Sequence, residues 1–243
     1  MCFSATASFV AGALLLPSGA ATLAIAWKKG QRQKLPLAAA PLLFGLQQTL
    51  EGMVWLGIQT QPPLATTGHP VGPVVAALAY LFFAYVFWPV WMPLAAVAQM
   101  ARPKPGQAPF WRAIPALGLV PALTLWLPFL NHPRAAIPEQ IGHSLVYALT
   151  PWSAGLLPPV VGPLLYAALI VLPFLKVPSQ RVRSFALTLL VAFGLAQWLS
   201  SEALTSVWCY ASALLSLQIL WILQEPETGP ESRDGGGLLD AAR

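Results

Sequence analysis

The chain has 243 residues, of which 57% are hydrophobic and only 9% charged, with a mean hydropathy of +0.66. A water-soluble domain carries about 25% charged residues, so a soluble globular protein is excluded before any motif is considered. Thirteen Lys and Arg against eight Asp and Glu leave a formal charge of +5. The basic residues fall in short loops between apolar stretches and form no basic-aromatic face, which excludes nucleic acid as a partner and matches the inside-positive pattern of membrane proteins.

In chain order, the first apolar stretch is 8–27, ending at Trp27 and the basic loop Lys28, Lys29, Arg32 and Lys34. No basic segment precedes it, so it reads as a retained span and not as a cleaved signal peptide. The second is 36–58. A neutral loop, 59–73, leads to an aromatic-rich span over 74–100, in which Pro89 and Pro93 predict a kink. A second basic loop with Arg102, Lys104 and Arg112 precedes a span at 113–130. Residues 131–157 are too polar to cross a bilayer, and a helix lying on the outer surface is predicted over 139–149.

The fifth span is 159–175, followed by Lys176, Arg181 and Arg183. Residues 184–224 are nearly all apolar and would reach about 60 Å as one helix, twice a hydrocarbon core. They must turn, and Ser200-Ser201-Glu202 is the polar break, giving spans at 184–200 and 203–224. The predicted fold is therefore all-α: a polytopic seven-transmembrane helix bundle over residues 1–224, N-terminus outside and C-terminus cytoplasmic, with all three basic loops inside. The acidic, Pro/Gly-rich stretch 225–243 is expected to be a disordered cytoplasmic tail.

The informative residue is Glu51. A carboxylate inside an apolar span costs at least ~2.5 kcal/mol and normally faces a bundle interior or wet cavity. Gln47, Glu51 and Trp55 recur at four-residue spacing, with Gln48 on the same side. Under the predicted topology, Glu202, Thr205 and Trp208 reach the same outer end from the last span, where Ser201, Thr205, Cys209, Ser212 and Ser216 continue a small polar stripe. Gln47, Gln48, Glu51, Trp55, Glu202, Thr205 and Trp208 are the candidate ligand-binding set.

Cys2 and Cys209 fall on one side of the bilayer, and three readings stand side by side. They pair in a disulfide, they join His143 as metal ligands, or they are inert thiols. No CxxC, HxxxH or HExxH spacing occurs, no lysine lies within a span to carry a retinal Schiff base, and GxSxG, P-loop and GxGxxG motifs are missing. No cofactor is assigned.

The opening MCFSATASF, PLLFGLQQTLEGMVW at 41–55 and SVWCYASALLS at 206–216 resemble an uncharacterised family of prokaryotic multispan membrane proteins beginning MCFSATASF. The resemblance implies a prokaryotic cell (plasma) membrane and no particular activity, and it marks Cys2, Ser4, Gln47, Gln48, Glu51, Trp55, Trp208 and Cys209. Function is expected in an outward-facing polar pocket centred on Glu51 that binds, senses or transports a small polar ligand, a cation or a proton. A thiol- or metal-dependent membrane enzyme using Cys2 and Cys209 with Glu51 is the alternative, and a structural partner subunit the second alternative. The lipid bilayer is the expected partner; the sequence assigns no oligomeric state.

Overall fold

A computed structural model describes residues 4–60, 71–100, 108–147 and 160–225. Helix α1 runs over Ala5–Lys28. It starts where Ser4, in extended backbone, accepts a hydrogen bond from the Ala7 amide at 3.2 Å, satisfying one of the free donors of the first turn. It ends in Lys28 and Lys29 followed by Gly30 at φ +71, a left-handed turn that glycine enters without steric cost. Short turns at Arg32–Lys34 and Leu35–Ala38 reverse the chain into α2, Ala40–Gln59.

Helices α1 and α2 pack closely because glycines line both sides of the seam. A Cβ on Gly19 would stand 2.1 Å from the Leu42 amide nitrogen, and one on Gly45 would stand 2.9 Å from the Leu16 nitrogen. Gly12 and Gly52 face Thr49 and Phe9 across the same seam. The seven-residue intervals between Gly12 and Gly19, and between Gly45 and Gly52, keep each pair on one helix face. Close backbone approach through small residues is how helices associate where lipid removes the hydrophobic drive.

Helix α3, Val71–Val97, is continuous but carries a wide π turn at Phe83–Phe87. The distortion expected from Pro89 is met there. Proline offers no amide hydrogen, and the carbonyl that a π turn would pair with position 89 is that of Ala84, which instead accepts from the Tyr166 hydroxyl. Helix α4 takes in Ala108–Leu117 and continues to Asn131, with a second π turn at Ala122–Trp126.

The surface helix expected at 139–149 is not formed. Glu139–Ile141 (β1) and Ser144–Val146 (β2) pair antiparallel, with Ile141 opposite Ser144, and residues 148 and 149 lie outside the described residues. The two-residue connection Gly142-His143 explains the difference: Gly142 at φ +60 supplies the left-handed conformation that a tight hairpin requires. Leu145 and Tyr147 point inward and are buried, while His143 is exposed at the tip.

Helices α5 (Val161–Leu175), α6 (Gln180–Leu199) and α7 (Leu204–Ile222) complete the described fold. Helix stands over each of the apolar stretches read from the sequence. Among the described residues five helices, α1, α3, α4, α6 and α7, are long and apolar enough to cross a membrane, the property of a membrane protein. Helix α5, at 15 residues, would reach only about 22 Å. Helix α2 has the length but carries Gln47, Gln48, Thr49 and Glu51.

The C-terminal end of α7 is anchored by neighbouring polar and basic side chains. Lys29 donates to the Leu223 carbonyl at 2.9 Å, and Arg181 donates to the Trp221 carbonyl at 2.6 Å while lying over its ring. Cations belong at the negative end of a helix dipole. Ser179 also hydrogen-bonds the Glu225 carboxylate, so the first residue of the expected tail is held; residues 226–243 lie outside the described ones.

Candidate functional site

Glu51 sits two turns from the C-terminal end of α2, about 12 Å along the axis from Gln59, and is 1% exposed. Ser206, in the first turn of α7, donates to Oε1 at 2.5 Å. Ser8, in the first turn of α1, donates to Oε2 at 3.5 Å, at the edge of useful geometry. Gln48 of α2 and Tyr80 of α3 also face the carboxylate. Four helices therefore meet at one acidic side chain, and the glycine seam is what brings the Ser8 turn of α1 to it.

The surroundings are polar yet incompletely satisfied. Gln47 accepts from the Trp88 indole at 2.7 Å, and Trp88 stacks on Phe44 with ring centres 3.9 Å apart. The Gln47 amide nitrogen, both amide atoms of Gln48, the Trp55 and Trp208 indole nitrogens and the Tyr80 and Tyr147 hydroxyls are buried with no hydrogen-bond partner. Of these, the Gln48 and Tyr80 groups face the carboxylate, and buried polar atoms left unpaired call for water, an ion or a ligand. Tyr147, brought in by the hairpin, stacks on Tyr80 with ring centres 5.4 Å apart. Burial, with a smaller push from Glu51, raises the Tyr147 phenol well above the ordinary tyrosine value. The titratable groups around Glu51 are phenols and a thiol: Tyr80, Tyr147, Tyr210 and Cys209. Among the described residues no lysine, arginine or histidine joins them.

The candidate residues divide as follows. Gln47, Gln48, Glu51 and Trp55 share the buried face of α2, and Trp208 is buried on α7. Thr205 turns from Glu51 to the Tyr85 hydroxyl, 2.5 Å away. Glu202 is exposed at the turn before α7 and makes no cap, since that helix begins at an Ala203 cap without a side-chain bond. Cys209 is buried beside Tyr80 and Gln47, whereas His143 is exposed on the hairpin; Cys2 lies outside the described residues. Among the described residues no three of His, Cys, Asp and Glu stand together.

Ser8, Ser206, Tyr80, Tyr147 and Trp88 were not singled out by sequence. The available signals were weak: Ser8 lies inside the MCFSATASF string, and Ser206 precedes Cys209 by one helical turn. A small, mainly apolar cavity of about 20 Å³ is lined by Phe44, Trp88, Met92, Tyr166, Trp208 and Cys209 among others, and by none of the groups that touch the Glu51 carboxylate.

A family model described as a family of unknown function, DUF6629, matches residues 1–233. No curated protein and no solved structure matches the chain.

Proposed function

Since the chain belongs to that family, whose function is not known, we propose from its own residues a multi-pass, seven-helix membrane protein that binds a proton or small cation at Glu51 and uses it in transport or sensing. The observation that carries the reading is a carboxylate 1% exposed that is faced by two serine hydroxyls, the Gln48 amide and the Tyr80 phenol, all uncharged. Hydroxyls are not a counter-charge, and an isolated ionised carboxylate in an apolar interior is far too costly to persist. With no basic side chain facing it among the described residues, Glu51 either holds a proton or pairs with a cation. Both are reversible binding events inside a membrane.

The proposed orientation, N-terminus outside and tail in the cytoplasm of a prokaryotic cell, is supported by the contacts of Lys29, Ser179 and Arg181 with residues 221–225. They gather two basic loops and the end of α7 on one face, as the inside-positive pattern requires. Glu51 then lies towards the outer face under the hairpin. Entry from outside requires that the Tyr80–Tyr147 stack part.

The test is infrared difference spectroscopy on the detergent-purified chain, stepped across its stable pH range. A protonated-carboxyl C=O band that grows on acidification and is missing from Glu51→Gln is expected. An identical spectrum in the variant, with no cation bound in the wild type, would refute the proposal.

A further inference from the structure

We infer that the Glu51 cluster is a coordination site for one small, hard monovalent cation of the sodium class, held by oxygens of α1, α2, α3 and α7. The inference rests on the reading of Glu51 as a cation or proton site and names its occupant. The donor set is made of oxygen. Ser206 Oγ lies 2.5 Å from one carboxylate oxygen and Ser8 Oγ lies 3.5 Å from the other. Gln48 and Tyr80, both 0% exposed, turn an amide N–H and a phenol hydroxyl towards the same carboxylate. Two carboxylate, two serine and one phenol oxygen supply five donors, and turning the Gln48 amide over would offer a sixth to complete the shell of a small hard ion. A serine hydroxyl that donates to an empty carboxylate can rotate and offer its lone pairs to an ion.

Charge and size select within the hard cations. Among the described residues, the groups facing Glu51 from α3, α7 and the segment after β2 are Tyr80, Cys209, Tyr210 and Tyr147, all neutral in their protonated forms, and no basic side chain is among them. A single positive charge therefore neutralises the site, whereas a divalent ion would leave a buried excess charge. Donors this close together, with Ser206 Oγ 2.5 Å from the carboxylate, leave room between them for a small ion and not for an organic ammonium. Thiophilic metals prefer several thiolate and imidazole ligands, whereas among the described residues a single thiol, that of Cys209, and no histidine faces the carboxylate.

An ion bridging four helices binds the folded chain and not the unfolded one, so occupancy raises stability by mass action. The experiment follows the melting temperature of the full chain in detergent in sodium, potassium and choline chloride at equal ionic strength, with a separate calcium arm. Binding of radioactive sodium to the wild type is measured alongside. Expected are a melting temperature that rises and saturates with sodium, no response to choline, a potassium response only at higher concentration, and one sodium bound per chain. Glu51→Gln and Ser206→Ala should lose the sodium shift; should Glu51→Gln fail to fold, Ser206→Ala and the wild-type binding measurement decide. Equal melting in sodium and choline with no bound sodium overturns the inference, and a calcium response larger than that of sodium overturns the monovalent assignment. In either case a C=O band that titrates and is lost in Glu51→Gln leaves the proton reading standing. Absence of that band as well removes both.

Discussion

Replacing Gly19 by alanine tests whether the α1–α2 seam sets the geometry of the whole site. The added methyl would stand 2.1 Å from the Leu42 amide nitrogen and 2.4 Å from its Cα, against an ordinary contact of 3.4–4 Å. The obstructing atoms are backbone, so no rotamer change relieves the clash and the two helices must part by ~1 Å at that level. Overpacking of this kind costs about 1–3 kcal/mol or more, which for a chain of this size lowers the melting temperature by about 2–4 °C per kcal/mol. Gly194→Ala is the internal control. It lies in the middle of α6 with nothing within 4 Å of a new Cβ, and the better helix propensity of alanine should leave it neutral or stabilise it by up to ~1 kcal/mol. The assay is thermal unfolding of both variants in the same detergent. Gly19→Ala melting with the wild type, or Gly194→Ala proving as harmful as Gly19→Ala, would refute the close-seam argument.

Other substitutions probe the site itself. Ser206→Ala, which removes a 2.5 Å hydrogen bond, should cost more than Ser8→Ala, which removes one of 3.5 Å; a bond to the protonated, neutral carboxyl is worth about 0.5–1.5 kcal/mol, and chemical unfolding of the two variants in choline chloride ranks them. Trp88→Phe strips Gln47 of its 2.7 Å bond and leaves a buried acceptor unpaired, for a loss of about 1–3 kcal/mol. Adding Gln47→Leu should recover part of that loss, as a double-mutant cycle would register. Tyr147 gives a pH prediction. Because burial raises its phenol, the folded chain keeps that proton after the unfolded chain has released it near pH 10. The stabilisation is complete below that pH and is lost as the pH rises towards the folded value, at up to ~1.36 kcal/mol per pH unit. Melting curves of Tyr147→Phe, whose hydroxyl had no partner to lose, should show a shallower alkaline decline and no loss at neutral pH.

The contrast between Glu51 and its partners shows what a sequence makes legible. A carboxylate among leucines is conspicuous because its burial is expensive, and its four-residue relation to Gln47 and Trp55 follows from helix geometry alone. Ser8 and Ser206 are inconspicuous because a serine in an apolar helix is equally a packing contact; only the approach of α1 and α7 to α2 distinguishes the two roles. Thr205 shows the same limit in reverse, since its position on the stripe is right and its partner, Tyr85, comes from a helix whose rotation no local pattern encodes. The hairpin was misread for a related reason. Strands of three residues are too short to display alternation, and the left-handed Gly142 that permits the turn looks like any loop glycine.

The glycine seam and the buried acid are parts of one arrangement. Gly52 follows Glu51 directly, and a Cβ placed on it would stand 2.8 Å from the ring of Phe9, the residue after Ser8. At that level of the bundle α1 therefore presents a hydroxyl to the carboxylate and an aromatic ring to the neighbouring glycine. A side chain at position 52 would push Phe9 away, and Ser8 with it, opening a path from α1 to Glu51. The acid stays shut off from solvent because the helix beside it has no side chain where Phe9 must lie. Gly52→Val should consequently make Glu51 accessible to a water-soluble carbodiimide that leaves the wild-type residue unlabelled. Equal labelling of the two proteins at position 51, read by peptide mass, would show that the closure comes from somewhere other than this contact.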